Sequence, residues 1–109
     1  MKMDLIPFGI TNWQDIPEEK HNGETGYAIW KTQKFNNIRV RIVEYSPNYL
    51  ADHWCNKGHI LFCLEGHLLT ELDNGRTFTL TPGMSYQVAD HAEAHRSSTT
   101  TGAKLFIVD

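Results

Sequence analysis

The chain has 109 residues, a formal charge of −3, 40% apolar and 21% charged side chains. Those values describe one folded domain with a small core. The slightly acidic balance lacks the basic surplus that phosphate backbones attract, so nucleic acid is excluded as an expected partner.

The first ten residues, Met1 to Ile10, contain no signal-peptide apolar core, and no stretch approaches membrane-spanning length. A cytoplasmic protein without membrane association is the expectation. Residues 1–26 read as an arm, mostly loop with a short edge strand and a single helical turn, anchored by Trp13 and Ile16 and turning at Asn22-Gly23. Residues 27–109 read as the folded domain, and the pattern there is β. Tyr27 to Trp30 is β-prone. Ile38-Arg39-Val40-Arg41-Ile42 alternates strictly, which predicts a strand whose arginines either form a solvated face, the favoured reading, or project into a barrel to bind an anionic ligand. Ser46-Pro47-Asn48 breaks the run. Ile60 to Leu64 is continuously apolar, which predicts a strand covered on both faces.

Two runs, His67 to Leu72 and Arg76 to Leu80, flank Asp73-Asn74-Gly75, a hairpin signal of the type I′ kind. Thr81-Pro82-Gly83 turns the chain, Met84 to Val88 is a short strand, and a loop runs to Ala94. Ala103 to Val108 is the last strand. Short strands at regular spacing with turn residues between them predict an all-β sandwich or barrel.

The chemistry concentrates in Ala51-Asp52-His53-Trp54-Cys55-Asn56-Lys57-Gly58-His59, with His95 downstream. Imidazole and thiolate are the softer metal-ligating groups. On a strand, His53 and Cys55 point to one side. A turn through Asn56-Lys57-Gly58, with Gly58 free to take positive φ, places His59 across from Cys55. The expected metal site is therefore His53, Cys55, His59 and His95, the last brought over by closure of the barrel.

The spacing His53-x-Cys55-x3-His59-x6-Gly66 is similar to the first cupin motif. Gly75, Pro82-Gly83 and His95 are similar to the second. More narrowly, Asp52-His53-Trp54-Cys55, Lys57-Gly58-His59, Gly83-Met84-Ser85-Tyr86, His95-Arg96-Ser97 and Leu105 to Asp109 resemble the small single-domain cupins called DHCW-motif cupin-fold proteins. The resemblance implies a cupin-type double-stranded β-helix, that is, a jelly-roll barrel. In the general pattern Cys55 stands at a histidine position, His59 at a glutamate position, and Met84 where an acid follows the second glycine. The implied site is three histidines and a thiolate, which shifts preference toward softer ions. Zinc is the first choice; iron and nickel are alternatives.

Other residues have plainer expected roles. Cys55 also reads as a small buried hydrophobe. His67 and His21 are expected on the surface, and His91 in a surface loop near the pocket mouth. Asp90 and Glu93 are candidates for holding an imidazole tautomer or ordinary loop acids. Asp52 should point away from the metal. Trp54 and Tyr86 are candidate pocket or interface aromatics, with packing the favoured expectation. Cys63 should lie deeper on the face of His59, about 13 Å along the strand, beyond the reach of a disulfide to Cys55.

Two function classes follow. One is a metal-binding domain that holds a small molecule near the ion. The other is a metal-dependent small-molecule enzyme of oxygenase, isomerase or hydrolase type, with an open coordination position. No general acid or base stands out, so no catalytic residue is assigned. The apolar strand Ile60 to Leu64 in so small a domain, together with the pairing common in small cupins, predicts a homodimer.

Overall fold

A computed structural model describes residues 3–109; Met1 and Lys2 of the expected arm lie outside the described residues. The described chain is β apart from one short 3-10 turn, Trp13–Asp15, capped by the Asn12 side chain. Ten strands follow in chain order: β1 (Glu19–Asn22), β2 (Tyr27–Phe35), β3 (Ile38–Tyr45), β4 (Tyr49–Leu50), β5 (His59–Gly66), β6 (Leu68–Leu72), β7 (Thr77–Leu80), β8 (Ser85–Val88), β9 (His95–Thr99) and β10 (Ala103–Val108). They form two antiparallel sheets, ordered β1-β2-β3-β10-β5-β8 and β4-β9-β6-β7. From β3 to β10, successive strands alternate between the sheets in jelly-roll order, except for the β6–β7 hairpin within the smaller sheet; β1 and β2 extend the larger sheet. No helix among the described residues is long and apolar enough to cross a membrane.

The core lies between the sheets. Val43, Leu61, Cys63, Leu68 and Leu105 are its largest fully buried side chains. Alternation assigns Leu61 and Cys63 of β5 to that side, and both cysteines are free.

Three sequence expectations change here. On β3 the arginines face inward. Arg41 is only 6% exposed, and its strand neighbours on that face are Arg39, Val43 and Tyr45. Alternation identified the two faces of β3 but not which was inside. The apolar residues Val40 and Ile42 take the outer face instead. On β5 the outer face is bare: Ile60, Phe62 and Leu64 are 51%, 39% and 38% exposed. The arm around Trp13 covers the outer face farther along the larger sheet, beside Ile29, Lys31 and Ile42, and not at these three side chains. The β6–β7 hairpin forms as expected, but only Gly75 takes positive φ; Asn74 does not. Gly75 N–H reaches the Leu72 carbonyl at 3.0 Å, and Leu72 N–H reaches the Arg76 carbonyl at 2.8 Å. A three-residue loop of this form uses one left-handed residue, so a type I′ turn is not needed.

Candidate metal centre

Two local devices bring the ligand-bearing segments together. Cys55 and His95 exchange backbone hydrogen bonds as an isolated bridge, Cys55 N–H to the His95 carbonyl at 2.8 Å and the reverse at 3.0 Å. His59 begins β5 and pairs with Val88 of β8. Cys55 therefore faces His95 rather than His59, which corrects the expected hairpin end. The turn between them is held differently as well. Gly58 does not use positive φ. A Cβ there would stand 2.5 Å from the Asp90 backbone nitrogen and 2.7 Å from the Ala89 carbonyl carbon. Gly58 N–H also donates to Asp90 Oδ1 at 2.7 Å. Glycine is required by close approach of two backbones, and Asp90 caps that approach instead of holding an imidazole.

His53, Cys55, His59 and His95 all line one cavity of ≈ 270 Å³ between the sheets. Their depths differ. His95 is buried and His59 nearly so, Cys55 is half-buried, and the His53 side chain is 75% exposed at the rim. The His59 and His95 rings meet edge to face with centroids 4.8 Å apart. Among the described residues, no three His, Cys, Asp or Glu side chains stand as a ready-formed metal cluster.

Comparisons with known proteins address the fold. No family model matches the chain, and no curated protein matches it. Solved structures do. An RmlC-like cupin from Shewanella frigidimarina is 19% identical, covering 94% of this chain and 90% of its own, with a TM-score of 0.75. A predicted oxalate decarboxylase from Thermotoga maritima is 14% identical, covering 92% of this chain and 96% of its own, with a TM-score of 0.77. Fe(II)-HppE with alternative substrate (S)-1-HPP is 18% identical over 94% of this chain, TM-score 0.77, and this chain spans 60% of its length.

The chain has a cupin fold.

Within this cupin barrel, the donor atoms fit a soft or borderline divalent ion. His95 Nδ1 lies 3.0 Å from the Glu93 carbonyl oxygen, which can only accept, so Nδ1 carries the proton. The neutral ring then presents its lone pair at Nε2, and that atom is buried without a hydrogen-bond partner. His53 Nδ1 lies 2.6 Å from Asp52 Oδ1. This is the carboxylate–imidazole arrangement that frees Nε2 of a ligating histidine. Asp52 thus holds a tautomer although alternation pointed it away. Glu93 does so too, through its carbonyl, while its carboxylate pairs with Arg76.

Cys55 and His95 stand close enough to shift each other. The imidazole lowers the thiol, against the opposing effect of burial, and the thiol raises the imidazole. His59 Nε2 contacts Tyr86 Oη at 2.9 Å, and its Nδ1 is buried without a partner. Burial first, then the charges of His95 and Arg41, pull His59 down to about 4, so the ring is neutral near pH 7. Tyr86 takes the pocket role that was the alternative to packing, its hydroxyl touching a candidate ligand. Burial raises its pKa, so it stays a neutral phenol.

The remaining histidines lie elsewhere. His67 and His91 are exposed, and His91 N–H bonds the Asn56 carbonyl. His21 stacks on Trp30 at 4.0 Å between ring centroids, so it is half-covered rather than solvated. Trp54 is 41% exposed and outside the core. Arg39 and Arg41, for which a solvated face was the favoured expectation and a barrel interior the alternative, both line the cavity. Their signal was present in the alternation, which left the orientation of the strand open.

Proposed function

We propose that this chain is a metal-binding small cupin of the DHCW-motif kind that holds a divalent transition-metal ion and binds a small molecule beside it. The ligands are His95, Cys55 and His59, with His53 joining from the rim. The observation that carries this reading is the His95–Cys55 pair: a buried imidazole whose Nδ1 is held by the Glu93 carbonyl, beside a thiol whose pKa that imidazole lowers. Two imidazoles and a thiolate favour zinc, with iron or nickel as alternatives. Bound there, such an ion would polarise a carbonyl or lower the pKa of a coordinated water. The chain's own residues would orient the rings, keep His59 neutral and close the inner side of the cavity to water.

Elemental analysis of protein produced with zinc, iron and nickel available tests the reading, beside a Cys55→Ala variant. Stoichiometric metal in the wild type and a marked loss in the variant support it. Metal-free protein from both would reject it.

A second reading, a metal-dependent small-molecule enzyme, is favoured by the open cavity next to the candidate ligands. Structures similar in fold include Fe(II)-HppE and a predicted oxalate decarboxylase. A well-ordered water or added ligand on the metal supports it, while four protein ligands closing a tetrahedron sink it.

The quaternary reading is a homodimer formed through the bare outer face of β5. Ile60, Phe62 and Leu64 supply apolar surface that the single chain leaves in water. The expected setting is the cytoplasm.

A further inference from the structure

Arg41 occupies a place where a sheet interior calls for an apolar side chain. It lies on the inner face of β3, is 6% exposed and lines the cavity. Its partners are few. Arg39 holds Asp109 bidentately, Nε to Oδ1 at 2.9 Å and Nη2 to Oδ2 at 2.8 Å. That leaves Arg41 a single bond, Nη2 to Oδ2 at 3.2 Å. Arg41 Nε is buried and has no hydrogen-bond partner. The Trp30 ring, 4.5 Å from the guanidinium carbon, supplies a π face but no lone pair.

Arg39 and Arg41 share the one Asp109 side-chain carboxylate, Arg39 taking most of it, and an incompletely paired buried charge is costly. The neighbouring imidazoles cannot offset it, being neutral or cationic. Lys57 and Arg96 line the same cavity, and Asp109 is its one carboxylate among the described residues.

We propose that this cavity binds a compact organic carboxylate, its oxygens taken by Arg41 and its carbon body packed against Trp30, Tyr45 and Leu61. The proposal rests on the reading of the cavity as a ligand site. The walls at Trp30, Tyr45 and Leu61 suit a carbon body, which inorganic phosphate lacks. The ≈ 270 Å³ volume is roughly that of nine waters, which suits an acid the size of benzoate. The planar fork of arginine pairs with the planar carboxylate through two parallel bonds, as Arg39 already does with Asp109.

Benzoate and inorganic phosphate are titrated calorimetrically into zinc-loaded and metal-free protein. The Arg41 Nε–H resonance is followed by 15N NMR in parallel. Saturable benzoate binding is expected, at least about tenfold tighter than phosphate, with the Arg41 Nε–H signal shifting as the site fills. Arg41→Gln is expected to weaken benzoate by about tenfold or more. Three results would overturn the proposal: no saturable benzoate binding in either form, phosphate binding as tight as benzoate, or saturation with the Arg41 signal unmoved. If Arg41→Gln does not fold, the wild-type resonance decides alone. The two readings separate cleanly. Failure to bind zinc leaves the metal-free benzoate arm standing. Zinc-dependent benzoate binding that survives Arg41→Gln rejects the arginine assignment and leaves the metal reading intact.

Discussion

His95 donates its Nδ1–H to the carbonyl oxygen of Glu93 at 3.0 Å, two residues back along the chain. This local contact turns a buried imidazole into an oriented lone pair, because a carbonyl cannot donate and the other nitrogen must accept. Cys55, whose backbone is bonded to that of His95, stands beside it.

The proton on His95 competes with a metal. Chiefly through Cys55, His95 is raised above its ordinary value, so the ring is protonated further into the neutral range. A ligand must lose its proton before it coordinates. Zinc affinity is therefore expected to rise as pH increases from about 6 to 8, and His95→Ala should abolish stoichiometric binding. Competition with a chromophoric chelator measures both. Affinity flat across that range would remove His95 from the ligand set.

His59 makes the metal-free protein sensitive to acid. Its folded value, about 4, lies below the unfolded value near 6.5. Between the two, the unfolded chain binds more protons, so stability is full above the unfolded pKa and is lost as pH falls toward the folded one. The difference corresponds to roughly 3 kcal/mol. Denaturant unfolding of metal-free protein should show that loss, and His59→Gln should flatten it. A variant whose profile keeps the wild-type slope would show that another group carries the effect.

Gly58→Ala should disturb the site without removing a ligand. The new Cβ would meet the backbone of Ala89 and Asp90 at under 3 Å, forcing the start of β5 and the segment after β8 apart. A loss of about 1–3 kcal/mol is expected, with the Gly58–Asp90 hydrogen bond weakened as well. Unfolding midpoints give the first quantity. A crystal structure of the variant with an unchanged Gly58–Asp90 contact would count against the steric account.

The outer face of β5 should govern association. Phe62→Glu combined with Ile60→Lys places two charges on surface that the proposed dimer buries, while the inward side chains Leu61 and Cys63 are untouched. Light scattering at micromolar concentration should give a dimer for the wild type and a monomer for the variant. A monomeric wild type would reject the interface.

Much of the architecture was readable in advance because strands announce themselves by local means. The Asp73-Asn74-Gly75 hairpin, the break at Pro82-Gly83, and the apolar run ending at Gly66 are written within a few residues each. The cupin-like spacing from His53 to Gly66 and on to His95 pointed to the barrel. That Leu61 and Cys63 share one face followed from the two-residue period of β5.

Local pattern marked most of the strands, though not β4 or β9, together with the residue types able to bind a metal and which residues share a face. Period-two alternation cannot say which face is inside, since that depends on what packs above the sheet. Only the tertiary structure turned Arg41 inward and left Phe62 outward. It alone paired Cys55 with His95 instead of His59, a contact across forty residues of chain that no local pattern encodes. The tautomers likewise came from neighbours in space and in the loop: a carbonyl for His95, a carboxylate for His53. Local chemistry chose the side chains, and the closure of two sheets decided which of them meet.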